Sequence, residues 1–258
     1  GVAWDVTIEN RARRHWEVKI YDKTIYLAKS DDEYIFTEGT TATQRIKQIA
    51  SDWGIAVDSI ADTGQPLAKG VHRAKSIWSI MQSCLAETAQ KSGRLFRLRM
   101  TPNGLSLFEL GTNDPVWVIE FGVNFIDVTQ KQTLEGTVTQ VKVLGNASGD
   151  ERSPIVATVK GEIDKLGTLQ KIFDDKKAID SGTAQKKAEN MLSGIQETVN
   201  VTAIDINTIR AGDKVHVEGW PELIAISVQH TCGSPGRMAL ELATKEYIRR
   251  KYYDKESV

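Results

Sequence analysis

The chain has 258 residues, with 33 Lys and Arg against 34 Asp and Glu and a formal net charge of -1. That length suffices for one large or several small cores, and a hydrophobic share of 40% with 26% charged residues excludes global disorder. A near-neutral balance lacks the basic excess of a dedicated nucleic-acid binder. No apolar run approaches the ~20 residues that span a bilayer, so no membrane partner is expected. Gly1 to Asn10 lacks the basic lead and apolar stretch of a secretory leader. The cysteines, Cys84 and Cys232, stand far apart without CxxC spacing. That predicts two buried or half-buried thiols and no disulfide or zinc framework.

In chain order, Val2, Trp4, Val6 and Ile8 alternate with Ala3, Asp5, Thr7 and Glu9, the period of a half-buried strand. After NRARR the alternation resumes in WEVKIYDKTIYLA with Trp16, Val18 and Ile20, which predicts an antiparallel hairpin. Because the chain opens in mid-pattern, these strands look like part of a sheet whose earlier strands are absent. A helical period follows in TTATQRIKQIASDWG, where Ile46, Ile49, Ala50 and Trp53 share a face. Thr40 or Thr41 is the expected N-cap and Gly54 the stop. A longer helix is predicted from Ala74 to Lys91 on the stripe Ile77, Ile80, Met81, Cys84, Leu85 and Thr88, closed by Gly93. RLFRLRM and LSLFEL flank Pro102, Asn103 and Gly104, a tight hairpin turn.

Beyond Gly111 the segments VWVIEFGVNFIDV, TLEGTVTQVKVLG, PIVATVK and TLQKIF read as strands, with NASGDERS as an exposed loop. A helix at about 181–195 is expected, capped by Asp180 or Ser181, with Ala184, Ala188, Met191, Leu192 and Ile195 on one side. TVNVTAIDI, KVHVE, ELIAISVQHT and RMALELATKE are further strands, and YIRRKYYDKESV reads as a surface tail. The expected fold is α+β and mainly β, with β-barrel domains flanking a small helical and hairpin module. Residues 1–36 would be the remaining strands of a first barrel, incomplete at the N-terminus. Residues 37–111 would form the helix-helix-hairpin module and 112–258 a second barrel region with the inserted helix.

Catalytic chemistry needs acids, bases or nucleophiles held together, and the residues offer little of it. His15, His72, His216 and His230 form no HExxH or HxH pair. His216 alternates with Val215 and Val217 and should face solvent. His230 and Cys232 share a strand face, the best metal or nucleophile pairing present, but two ligands do not make a zinc site. GxxxxGK[ST] and GxGxxG are absent, and Gly145, Gly149, Gly212 and Gly219 stand in turn contexts. Asp31, Asp32 and Glu33, and the pair Asp174 and Asp175, read as charged residues that keep strand ends soluble. Arg11, Arg13 and Arg14 beside His15 and Trp16 fit a solvated loop or a contact with a neighbouring subunit, single-strand or phosphate binding being the other option. No catalytic, cofactor-binding or metal residue is predicted, and no cofactor; the expectation is a structural assembly protein and not an enzyme.

Three ordered stretches carry a resemblance. They are WEVKIYDKTIYLAKSDDEYIFTEGTTATQRIKQIASDWGI, then AKSIWSIMQSCLAETAQKSGRLFRLRMTPNGLSLFEL, then SGTAQKKAENML followed by IRAGDKVHVEG. In this order the chain resembles the XkdQ/YqbQ-type tail proteins of PBSX-like Bacillus prophages, baseplate hub proteins of contractile phage tails and tailocins. The resemblance implies a homotrimer with two β-barrels per subunit, forming a six-fold-like ring that joins the tail tube protein to the central spike protein. It implies DNA passing through the channel without specific binding, and a location in the virion or particle tail after synthesis in the host bacterial cytoplasm. Family members have further N-terminal sequence that completes the first barrel. The alternative is a peptidoglycan-binding module, since KSIWSIMQ is similar to the helix start of LysM domains, although His72, Arg73, Ala74 and Lys75 replace the usual Gly-Asp-Thr. A tail-associated lysin is a third option.

Overall fold

Local chemistry sets each boundary in the first part of the chain, whose computed structural model describes residues 1–10, 14–145, 152–174, 185 and 188–254. Strands β1 (Val2–Asn10) and β2 (Arg14–Tyr21) form a two-stranded antiparallel sheet. The strand expected to continue through DKTIYLA instead becomes α1 (Thr24–Lys29), because the Asp22 Oδ1 accepts from the Thr24 N–H at 2.8 Å and turns the chain. Next come β3 (Asp31–Phe36) and α2 (Ala42–Asp52). Thr41 is the N-cap of α2, its hydroxyl accepting from the Gln44 N–H while the Gln44 side chain returns to the Thr41 N–H, a full capping box. Ile46, Ile49 and Ala50 are buried as expected, but Trp53 is 40% exposed and donates from Nε1 to Asp32 at 3.0 Å.

Strands β4 (Val57–Ile60) and β5 (Gly70–Ser76) precede α3 (Ile77–Ser92). The predicted start of α3 at Ala74 was three residues early. Ala74 has φ +47°, which a right-handed helix cannot contain, and Ser76 is the cap, accepting from the Ser79 N–H at 3.2 Å. The stripe of α3 is buried throughout, and Gly93 ends the helix with φ +71°. Strands β6 (Phe96–Thr101) and β7 (Gly104–Glu109) pair antiparallel about Pro102 and Asn103. Parallel pairing of β4 with β7 makes Gly104 obligatory: its φ is +147° and a Cβ there would lie 2.3 Å from the Ala56 carbonyl oxygen.

Strand β3 pairs with β5, and its Tyr34 and Phe36 enter the same core as α2, α3, β6 and β7. Charged Asp31, Asp32 and Glu33 are therefore part of a strand and do not form a turn. Glu33 pairs with Arg73 at 3.4 Å and Asp32 holds Trp53. The C-terminal residues also enter this core, contrary to the expected surface tail. Lys245–Ile248 form α5 and Arg249–Tyr253 a π-helical turn, placing Ile248 and Tyr253 against the module. The Tyr253 hydroxyl donates to the Phe96 carbonyl at 2.6 Å, and burial pushes its pKa up to about 12. Ile248 and Tyr253 stand five residues apart, the spacing of a π-turn, and Tyr247 packs against the same core.

The expected strand VWVIEFGVNFIDV is broken into β8 (Trp117–Ile119) and β9 (Phe125–Thr133) by a turn in which the Glu120 carbonyl accepts from Val123, Asn124 and Phe125 and Gly122 has φ +77°. Further on are β10 (Gln140–Leu144), β11 (Ile155–Lys160), α4 (Ile163–Leu166) and β12 (Gln170–Asp174). The last strands are β13 (Gln196–Ile204), β14 (Lys214–Val217), β15 (Leu223–Thr231) and β16 (Arg237–Ala243). A six-stranded sheet in the order β8-β14-β15-β16-β13-β9 curls into a half-barrel. The fold is thus α+β and mainly β.

By internal contacts the chain divides into one unit of Gly1–Ile126 with Ala203–Val258 and a second of Asp127–Thr202. In the first, Ile224, Ile226 and Ala243 of the half-barrel share one core with the helical module. The second has its own small core of Val138, Val141, Val143 and Ala188, under the sheet β11-β10-β12. There the Thr139 hydroxyl donates to the Gly167 carbonyl at 2.7 Å and accepts from the Leu169 N–H at 2.8 Å, tying the β10 start to the α4 exit. Of the helix expected at 181–195, Gln185 and Ala188–Met191 are helical, Ala188 is buried, and Ile195 is exposed beyond the helix end. Its proposed cap at Asp180 or Ser181, its Ala184, and most of the NASGDERS loop lie outside the described residues.

Candidate assembly surface

Amphipathic alternation in β1 and β2 gives their hairpin one apolar face. The register sets Val6 opposite Val18, Ile8 opposite Trp16 and Ala3 opposite Ile20, with a bulge between Ala3 and Asp5 where the Trp4 ring stands edge-on to Tyr21, 6.2 Å between centroids. Trp4, Val6, Ile8, Trp16, Val18 and Ile20 are between 41% and 62% exposed, and none is in a core of the chain. A two-stranded sheet is marginal alone, and a contiguous apolar face of this kind in water marks a surface that another element covers. The opposite face carries Asp5, Glu17 and Lys19, so the exposure is one-sided in chemistry. At the tip Arg14 lies over the Trp16 ring, 5.0 Å from its centroid, while Arg11 and Arg13 lie outside the described residues.

The remaining residues weighed for chemistry are placed as follows. His216 faces outward opposite Val118, between buried Val215 and Val217. His230 has Nδ1 2.6 Å from Asp205 Oδ1 and Nε2 3.2 Å from the Ile209 carbonyl, so its ring is engaged by Asp205 and not by Cys232. Cys232 is exposed, which corrects the expectation of two covered thiols, whereas Cys84 is buried in α3 and burial pushes its thiol pKa up. Among the described residues no three His, Cys, Asp or Glu side chains gather at metal-binding range, and no helix is long and apolar enough to cross a membrane. Gly212 and Gly219 have φ +102° and +83°, turn conformations as expected, and Gly149 lies outside the described residues. Asp175 does too.

Two polar centres escaped the sequence reading. Asp213, 7% exposed, accepts from the Arg210 N–H at 3.0 Å and from Trp117 Nε1 at 3.2 Å, locking the turn before β14 to β8. Arg45, 2% exposed, donates from Nε to the Thr40 hydroxyl at 2.8 Å and from Nη2 to the Ala68 carbonyl at 2.6 Å, and lies over the Phe36 ring. A signal for Arg45 existed: it stands three residues after Ala42 and four before Ile49, within the apolar stripe of α2. The LysM-like start KSIWSIMQ begins in β5, and its helix starts only at Ile77.

The fold is that of prophage tail proteins. It matches the 43 kDa tail protein of prophage MuSo2 from Shewanella oneidensis at a TM-score of 0.70 and 15% identity, over 96% of this chain and 80% of that one. A tail protein from Neisseria meningitidis MC58 gives 0.69 at 17% identity, over 98% and 82%. A chain of the half-lidded Francisella PdpA-VgrG complex gives 0.55 at 7% identity, over 98% and 45%. The chain belongs to the YQBQ-like family, whose family model matches residues 5–242. It is 29% identical over 205 residues to the phage-like element PBSX protein XkdQ of Bacillus subtilis (strain 168), covering 76% of this chain and 62% of XkdQ. Against YqbQ of the same strain it is 26% identical over 218 residues, covering 82% and 66%. The chain therefore spans slightly under two thirds of the length of these relatives.

Proposed function

We propose that this protein is a structural, non-enzymatic component of the baseplate hub of a contractile tail or tailocin. Three copies form a ring that joins tail tube to central spike and lets DNA pass without specific binding. The observation that carries the reading is the bare apolar face of the β1–β2 hairpin in a chain whose family is one of tail proteins. Such a face is stable only when a barrel wall is closed over it, by further strands or by a neighbouring copy. On this reading the hairpin belongs to a first ring barrel and the half-barrel sheet to a second, and the near-neutral charge suits a channel that must not hold DNA.

Two measurements test it. Electron microscopy of tails carrying a tag on this protein should place the tag at the tube-spike junction; a tag along the sheath or on fibres refutes the hub assignment. Light scattering on the full-length protein at high concentration should give the mass of three copies. Val18→Lys, on the exposed face, should return the protein to a monomer with stability changed by less than ~0.5 kcal/mol, because the side chain touches no core. A full-length protein that stays monomeric at high concentration, or a full-length Val18→Lys variant that still assembles, counts against the ring.

A further inference from the structure

An open cavity of about 570 Å³ lies in the first unit between β5 and α3, lined by Arg45, Lys69, Gly70, His72, Cys84 and Glu87 among others. Its volume suits an amino-acid-sized group. Arg45 is almost wholly buried, yet among the described residues no carboxylate is within ion-pair range of it. Among the described residues its Nη1 has a hydrogen bond only to the weakly accepting Cys84 sulfur, at 4.0 Å. A buried guanidinium ordinarily has an acidic partner.

Glu87, the acid in the lining, is already engaged. Its Oε1 accepts from the Ala68 N–H at 2.7 Å and pairs with Lys91 at 2.7 Å. The remaining charged groups, Arg45 and Lys69, are cationic, and at His72 burial first, then Lys75 and Arg45, lower the pKa against the smaller opposing pull of Glu87.

Gly70 shows where the two donors meet. Its φ is not left-handed, so its backbone does not demand glycine, but a Cβ there would stand 3.1 Å from both Arg45 Nη1 and His72 Nε2. A Cβ would be tight against both nitrogens and 3.4 Å from the Phe36 ring, so glycine is what lets Arg45 Nη1 and His72 Nε2 converge on this side of the strand.

We propose that this cavity receives a carboxylate presented by another polypeptide, with Arg45 Nη1 and the Nε2–H tautomer of His72 as its donors and Lys69 at the rim. The assignment of a polypeptide source rests on the assembly reading above, but the test needs no assembled tail, so the two can fail separately.

The full chain, isotope-labelled, is titrated with four probes while the Arg45 and His72 side-chain resonances are followed. N-acetylglutamate N-methylamide presents a side-chain carboxylate, and N-acetylglycine a chain-terminal one. N-acetylglutamine N-methylamide is the neutral isostere, and inorganic phosphate the competing anion. At least one carboxylate should shift both resonances saturably, with the neutral probe at least ~10-fold weaker, the loss expected for a charge-assisted hydrogen bond. The tighter carboxylate identifies a side chain or a terminus as the source.

Gly70→Ala, whose Cβ pushes Arg45 Nη1 and His72 Nε2 apart, should weaken binding by about the same ~10-fold factor while the protein still unfolds cooperatively in urea. Should that variant fold poorly, His72→Phe, at a half-buried strand position, is the second test with the same expected loss. Equal binding of the neutral probe, no saturable shift with either carboxylate, tighter binding of phosphate, or full binding by the folded variants would each overturn the proposal.

Discussion

Tyr253→Phe isolates the anchor that holds the C-terminal turn in the core. At pH 8 the variant loses one buried hydrogen bond, the 2.6 Å donation to the Phe96 carbonyl, which contributes about 0.5–1.5 kcal/mol net. At high pH the sign changes. The folded phenol has its pKa raised from 10.0 to about 12 by burial, so the folded state holds its proton more tightly than the unfolded chain. The stability this confers is fully present below pH ~10 and is lost as the pH rises through the folded value. At pH ~11.5 the unfolded tyrosine is almost fully ionised, and the wild type has lost about 2 kcal/mol by this route, which phenylalanine cannot lose. Urea unfolding followed by tryptophan fluorescence should therefore find the variant less stable at pH 8 and more stable at pH ~11.5. A gap that keeps the same sign and size at both pH values would refute the burial argument and return the segment to the surface.

Asp213→Ala leaves the Arg210 N–H and Trp117 Nε1–H without their acceptor and should cost about 2–4 kcal/mol in urea unfolding; a loss below ~0.5 kcal/mol would mean that water replaces the carboxylate. Gly104→Ala sets a Cβ 2.3 Å from the Ala56 carbonyl oxygen and should lower stability by about 2–4 kcal/mol, whereas Gly122→Ala, with nothing near its Cβ position, should cost only the ~1 kcal/mol of its positive φ. A thiol reagent should label Cys232 in the folded protein at once and Cys84 only on unfolding, and two fast thiols would contradict the buried α3 stripe.

Periodicity was enough wherever one face of one element decides the outcome. The stripe of α3 from Ile77 to Thr88, the capped α2, the β6–β7 hairpin and the outward His216 are all readable from spacing, because burial repeats every 3.6 or two residues regardless of what the element packs on. The ordered stretches likewise pointed to the tail-protein family. Three things depended on partners distant in the chain. Tyr253 and Ile248 are core residues only because β6 and α3 offer them a surface, so a polar-looking tail became an anchor. Asp31 to Glu33 became a strand because β5 lies alongside. The cavity over Gly70 exists because α2, β5 and α3 converge there, bringing Arg45 and His72 together across 27 residues of sequence.

The β1–β2 hairpin shows the division most plainly. The alternation of Val6 and Ile8 with Trp16, Val18 and Ile20 determines two strands with one apolar face, since side chains in a strand must alternate, whereas the bulge after Ala3, which pairs Val2 with Tyr21, was not legible in it. Whether that face is buried is a property of what stands against it. Only the tertiary structure showed that nothing in the described chain does, because hydrophobic burial is a relation between surfaces and not a property of either one.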